Sequence, residues 1–259
     1  MNLGQLLSEL RINMLRDASQ QVAGSSDQLW SDATLVGYIN EGIYEIARET
    51  KCLRDASNPD ICQFTTVGNQ EFYQLDERVL GILSVRMSGD QADLARAGHN
   101  DLDTYHQPDT YYFDPSQLST LQPGKPMAFS TDEGVYTSGD GTMSSIQLRL
   151  FPVPSSTYAG IMGNMRVVRL PLMPLTLANP TQSPEIPRNY HMKVLDYAAW
   201  LALRGADLDI AGGDAMGRAR YFKASFDNWT ASLKRDLQTK MFKPAQWAFG
   251  RNGMTWENW

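Results

Sequence analysis

The sequence predicts an α+β protein: a helical bundle formed by N- and C-terminal helices, an inserted antiparallel β-sandwich or barrel-like domain, and an extended C-terminal arm. Three observations predict it. Apolar residues recur at three- and four-residue steps from Leu3 to Ala47 and again from Met192 to Leu237. Between Ile61 and about Pro180 the period becomes alternating, and the candidate strands follow one another with no helix between them. That order favours an antiparallel sandwich or barrel over a βαβ sheet. The boundaries read as 1–57 for the first two helices, 58–183 for the insert, 184–242 for the last two helices and 243–259 for the arm. Insertion of one domain into another is tolerated where the ends of the insert lie close together.

The first helix is carried by Leu3, Leu6, Leu7, Leu10, Met14 and Ala18, and is expected to run to Val22, ending near Gly24. A polar turn over 23–28 has the length that joins neighbouring antiparallel helices. The second helix has an explicit start. Ser31 can cap the first-turn donors, and Trp30 with Leu35 is placed as a hydrophobic staple. Its stripe is Leu35, Ile39, Ile43 and Ala47, widened by Val36 and Ile46, while Asn40, Glu41, Glu45, Arg48 and Glu49 fall mostly off it. Asn58-Pro59-Asp60 breaks the helical pattern.

Strands are expected around Cys62 to Thr66, at Phe72 to Leu75, Val79 to Met87, Met127 to Thr131, Gly134 to Ser138, Ser145 to Phe151 and Met165 to Leu172. The strictest alternation is Ile146-Gln147-Leu148-Arg149-Leu150, which follows the turn-forming Gly139-Asp140-Gly141. A long Asp-, Tyr- and Pro-rich loop spans 98–126, and a proline-rich connector runs from Pro171 to Pro187. The third helix carries Met192, Leu195, Ala199 and Ala202 and should stop near Gly205; Asp214 can cap the fourth, whose stripe is Phe222, Phe226, Trp229, Leu233 and Leu237.

A net charge of −6 and a pI near 5.1 do not suit a surface that clamps nucleic acid by neutralising phosphates. The N-terminus lacks a basic region followed by an apolar run, and no window approaches the ~18 apolar residues of a membrane span, so no membrane is expected as a partner. Cys52 and Cys62 match neither a redox pair nor a zinc cluster, and two free thiols are favoured over a disulfide. The chain is expected to be made and used in a cytosol or in something assembled there.

A search for chemistry finds no nucleophile elbow and no His-Glu-x-x-His pair. His191 lies among apolar neighbours in a helix, where a structural imidazole is expected. His99 and His106 flank Asp101 and Asp103, but the run lacks the glycine and terminal glutamate of a calcium loop. Gly212-Gly213-Asp214-Ala215-Met216-Gly217 has neither the spacing nor the lysine of a phosphate cradle. Asp132 and Glu133 are neighbours on a strand and face opposite ways. No cofactor, metal or catalytic residue is expected.

The tail is more informative, with three of the six tryptophans in the last 13 residues. Trp247, Phe249, Arg251, Trp256 and Trp259 are interleaved with glycine and polar groups, not arranged as an amphipathic helix. Aromatics and arginine in so irregular a chain end suit an anchor for a partner's pocket, against the alternative that the tail folds back on its own bundle.

Leu29-Trp30-Ser31-Asp32, Tyr38-Ile39-Asn40-Glu41, Glu45-Ile46-Ala47-Arg48 and Cys52-Leu53-Arg54-Asp55 resemble the N-terminal helix of head-to-tail adaptor, or connector, proteins of short-tailed bacteriophages. Leu150-Phe151-Pro152-Val153-Pro154, Glu185-Ile186-Pro187-Arg188-Asn189-Tyr190-His191 and Leu195-Asp196-Tyr197-Ala198-Ala199 are similar to a second block of that family. The resemblance implies a structural virion protein without catalytic residues, assembled in the host cytoplasm. It implies a homo-oligomeric ring of twelve copies between the portal protein and the tail nozzle and tail fibre proteins, through which the genome passes without specific DNA binding. The C-terminal arm would dock into the portal, and Glu41 and Glu45 would face a neighbouring subunit or the channel. Two other readings compete. One is a tail-associated carbohydrate-binding module using Tyr105, Tyr111, Tyr112 and Phe113; the other is a wall hydrolase using Asp101, Asp103 and Asp109.

Overall fold

A computed structural model of the chain describes residues 1–16, 29–96, 123–137, 143–205 and 215–241, with the side chains of 133–137, 143–145 and 237–241 outside the description. The fold is mixed α and β, with helices from both ends of the chain and antiparallel sheets between them. It divides into two compact units, one of residues 3–42 and 189–259, the other of residues 43–188.

In the first unit, α1 (Leu3–Glu9) continues into a π-helical stretch (Leu10–Leu15) that buries Leu3, Leu6, Leu10, Met14 and Leu15. The helix stops there, short of the expected Val22, because Arg16 turns left-handed at φ 55°. Its Arg11 is wholly buried, a charge no periodicity argument places in a core. α2 (Asp32–Thr50) starts where the sequence says it should. The Ser31 hydroxyl accepts from the Thr34 amide at 3.1 Å, and both Trp30 and Leu35 are buried. Leu35, Val36 and Ile39 of this unit, and Ile43, Ile46 and Ala47 in the part of α2 that belongs to the second unit, are all buried, so the expected stripe is a core face.

After a 3-10 turn (Arg188–Tyr190), α4 (His191–Arg204) forms the middle of this unit. It buries Val194, Leu195, Ala198, Ala199, Ala202 and Leu203, and its small residues let neighbours come close. α2 does so at Gly42, where an added Cβ would stand 3.0 Å from the Val194 carbonyl oxygen and 3.2 Å from its Cγ1. α5 (Ala215–Met241) packs on α4 through an aromatic cluster. Tyr197 meets Phe226 at 4.9 Å, and Tyr190 meets Trp229 edge-on at 5.1 Å. The expected cap Asp214 lies outside the described residues.

The second unit holds two four-stranded sheets. β1 (Arg54–Asp55), β2 (Gln63–Thr65) and β4 (Val79–Met87) all pair antiparallel with β8 (Met162–Arg169). β3 (Phe72–Gln74) pairs with β7 (Met143–Phe151), β7 with β6 (Ala128–Thr137), and β6 in parallel with β5 (Ala95–Arg96). One core cluster draws on both sheets, with Val79, Ile82, Val85, Met165 and Val167 from the first and Tyr73, Phe129, Ile146, Leu148 and Leu150 from the second.

Several local expectations change. Asn58-Pro59 starts the one-turn helix α3 (Pro59–Cys62), because the Asn58 side chain caps the Asp60 amide at 3.1 Å and proline suits the first turn. Cys62 therefore closes a helix and the strand begins at Gln63. The two strands expected over 127–138 are one, interrupted by a register shift between Glu133 and Tyr136. The last strand begins at Met162 and ends at Arg169, earlier than expected at both ends. In β4 the buried residues Val79, Ile82 and Val85 stand three apart because register shifts at Val79/Gly81 and Ile82/Ser84 turn the chain back to the core.

Candidate functional site

Two exposed faces of the helical unit lie on α2 and α5. On α2, Thr34, Gly37 and Glu41 are exposed at three- and four-residue spacing, with Tyr38 half-buried beside them. A Cβ on Gly37 would meet nothing within 4 Å, so this face is open. Glu41 has no partner among the described residues. Glu45, one turn on, is half-buried and accepts from Arg48 Nη2 at 2.5 Å. Of the two glutamates singled out from the sequence, one is free for an outside partner and the other is held within its helix.

α5 is 27 residues long, roughly 40 Å at 1.5 Å per residue. Its buried stripe is narrow, made of Ala215, Ala219, Phe226 and Thr230, with Phe222, Trp229 and Leu233 half-buried. The expected stripe is thus present in part; Leu237 lies outside the described side chains. The outer face carries Met216 and Tyr221, 45% and 69% exposed, and the exposed Arg220, which has no partner among the described residues. Sequence reasoning missed Arg220 and Tyr221, whose only signal was their place off the stripe.

Several other charges among the described residues of this unit are spent inside it. Buried Arg11 donates to the Trp30 carbonyl at 2.8 Å and to Asp32 Oδ1 at 2.6 and 3.0 Å, pinning the α2 entry to the π-helical stretch. Arg218 donates to the Met14 carbonyl. Asp196 accepts from Lys193 at 2.8 Å and from the Ser225 hydroxyl at 2.9 Å, tying α4 to α5. The Trp200 ring meets two cations, Arg204 at 4.8 Å and Lys223 at 5.1 Å from its centre. His191 is buried, with its Nδ1 3.0 Å from the Met1 nitrogen, the structural setting expected of it.

In the strand-rich unit Arg169, at the end of β8, joins three segments. It donates to Asp55 Oδ2 at 2.8 Å and to Glu185 Oε2 at 2.7 Å, while Glu185 Oε1 accepts from the Leu172 amide at 3.0 Å. The proline-rich connector is thereby fastened to the end of β8, the central strand of its sheet. Asp55 is held well below the usual carboxylate range, first by the Ser57 amide and then by Arg169 and the Ser57 hydroxyl, against its burial. Asp76 is lowered by Arg78, which grips it with Nε at 2.8 Å and Nη2 at 2.7 Å. An open cleft beside this pair is lined by Tyr44, Glu77, Arg78, Leu170, Pro171 and Leu172. Arg78 is already engaged by Asp76 and offers it little free charge.

Both cysteines are free thiols, and burial pushes both pKa values up, Cys62 also through the nearby Asp55 charge. Among the described residues no group of three His, Cys, Asp or Glu side chains is placed to hold a metal, and no helix is long and apolar enough to cross a membrane. Trp247, Phe249, Arg251, Trp256 and Trp259 lie outside the described residues, as do Asp101, Asp103, Asp109, Tyr105, Tyr111, Tyr112, Phe113, His99 and His106.

Comparison with known families finds one that fits these observations. The family model described as SU10 adaptor protein matches residues 1–246. No curated protein matches the chain.

Proposed function

The chain belongs to the SU10 adaptor protein family, and from that premise we propose that it forms a ring between the portal and the tail of a phage particle. Its role is that of a structural phage adaptor, a virion component whose partners are head and tail proteins. The finer reading is that about twelve copies, a number carried by the resemblance to short-tailed phage connectors, surround a channel through which the genome passes. The helical unit would line the ring, and the strand-rich unit would meet the tail nozzle and fibres. No catalytic step is assigned to it.

The family match over residues 1–246 is the observation that carries this reading. Composition supports it, because a chain of net charge −6 repels duplex phosphates and lets DNA slide. The arm from Trp247 onward begins where the family match ends, so its proposed docking into the portal rests on its aromatics and Arg251.

The test is assembly of the full chain with purified portal, followed by electron microscopy and sedimentation. Rings stacked on portal are expected, and truncation after residue 246 should abolish docking while leaving the helical melt unchanged. A full-length protein that stays monomeric with portal present would overturn the ring. Undiminished docking by the truncated chain would overturn the arm.

A further inference from the structure

A closed ring of identical chains is built from heterologous contacts, in which two different faces of each copy meet. Resting on the ring reading, we infer that these faces are the outer side of the first half of α2 and the outer side of α5, docked between neighbouring copies with Glu41 opposite Arg220.

The two faces are complementary in charge. α2 carries Asp32, Glu41, Glu45 and Glu49 against Arg48 alone, whereas α5 carries Arg218, Arg220, Lys223, Lys234, Arg235 and Lys240 against Asp227 and Asp236. A basic helix in an acidic chain marks segregation of charge and not its average. Most of these groups are engaged within their own unit. Glu41 and Arg220 are exposed, of opposite sign, and without partners among the described residues. Pairing α5 with another α5 would oppose basic faces, so the charges favour the mixed contact.

The faces are also complementary in shape. Glycine inside a helix weakens it, and Gly42 repays that by admitting the Val194 carbonyl. Gly37 has no such reason within one chain, since a Cβ there meets open space. An approaching helix supplies the reason: the groove at Gly37, flanked by Thr34 and Glu41, admits a protruding side chain. α5 offers Tyr221 and Met216 as protrusions. Gly217, Ala224 and Ala231, all exposed and seven residues apart, give α5 the repeat along which a second helix can approach closely.

The experiment is sedimentation of the full chain, alone and with portal, for wild type, Glu41→Arg, Arg220→Glu and the double variant. Each single reversal sets like charges face to face and should raise the concentration needed for assembly by about tenfold or more. The double variant should restore assembly to near the wild-type concentration. Gly37→Trp should block assembly while leaving the thermal melt of the monomer in place. Raised salt should weaken wild-type assembly more than that of a neutral Glu41→Gln, Arg220→Gln pair. Single reversals that assemble as wild type does, or a double variant no better than its parents, would overturn the interface while leaving the ring intact. A wild type that never assembles, even with portal, would overturn both.

Discussion

Two glycines of the same helix should respond oppositely to the same substitution. Gly37 and Gly42 both sit inside α2, where glycine costs about 0.5–1 kcal/mol relative to alanine. At Gly37 a Cβ enters open space, so Gly37→Ala should recover that amount in the monomer. At Gly42 the Cβ would lie 3.0 Å from a backbone oxygen of α4 and 3.2 Å from Val194 Cγ1. Ordinary contact begins a few tenths of an ångström further out, and α4 is held on several sides by Leu195, Ala198, Ala199 and Ala202. The helix gain is then outweighed by overpacking of about 1–3 kcal/mol, leaving Gly42→Ala destabilised by roughly 1 kcal/mol. Among the described residues the tryptophans are Trp30, Trp200 and Trp229, all outside residues 43–188, so the urea-dependent fluorescence of a chain truncated after residue 246 reports on the helical unit. A difference of about 2 kcal/mol between the variants corresponds to roughly 4–8 °C in Tm. If Gly42→Ala proves as stable as Gly37→Ala, the close approach of α2 and α4 is wrong.

Arg11→Ala should cost the helical unit about 2–3 kcal/mol, because it empties a wholly buried site and leaves the Trp30 carbonyl unpaired; Asp32, 54% exposed, can return to water. Urea unfolding followed by tryptophan fluorescence measures this, and a loss below about 0.5 kcal/mol would show the contact to be incidental. Asp55 gives the strand-rich unit a defined acid sensitivity. Its folded pKa is depressed, so its contribution is full above the unfolded carboxylate value of about 3.9 and is lost as pH falls through the folded value. Hydrogen exchange of the β8 amides should show stability falling below about pH 4 in wild type and falling less steeply in Asp55→Asn, which starts lower at neutral pH. Parallel profiles for the two proteins would refute the linkage.

How much of this was legible in the sequence follows from the range of the interactions involved. α2 was legible because cap, staple and stripe lie within a few residues of each other, from Trp30 to Ala47. β4 was legible as an apolar run, although its three-residue spacing of buried positions imitates a helix until the register shifts are known. β1 and β5 were not, since two residues contain no period. The left-handed Arg16 that ends the first helix carries no glycine or asparagine to announce it. The Asp55–Arg169 pair spans 114 residues of sequence, and no local pattern predicts it. At the proposed docking surface, Glu41 was legible as a polar position off the stripe. Arg220 was not, because its meaning depends on which faces of α5 remain open after α4 is in place.

The direction in which the carboxylates are perturbed bears on what the described residues are built to do. A general acid needs a carboxyl raised toward neutrality by burial or a like charge. Asp55 and Asp76 are lowered instead, by amide donors and by Arg169 and Arg78, which keeps them charged and paired. Arg11, Asp196 and Arg169 likewise hold one element to another. Buried polar atoms follow the same pattern, with Ser130 Oγ alone unpartnered among the described residues. Among the described residues much of the charge joins one segment to another, while Glu41 and Arg220 stand exposed and unpaired on the outer faces of α2 and α5. That distribution suits a part whose work is to fit against other parts. It directs mutagenesis first to Glu41 and Arg220, where a reversal costs the monomer nothing it has already formed.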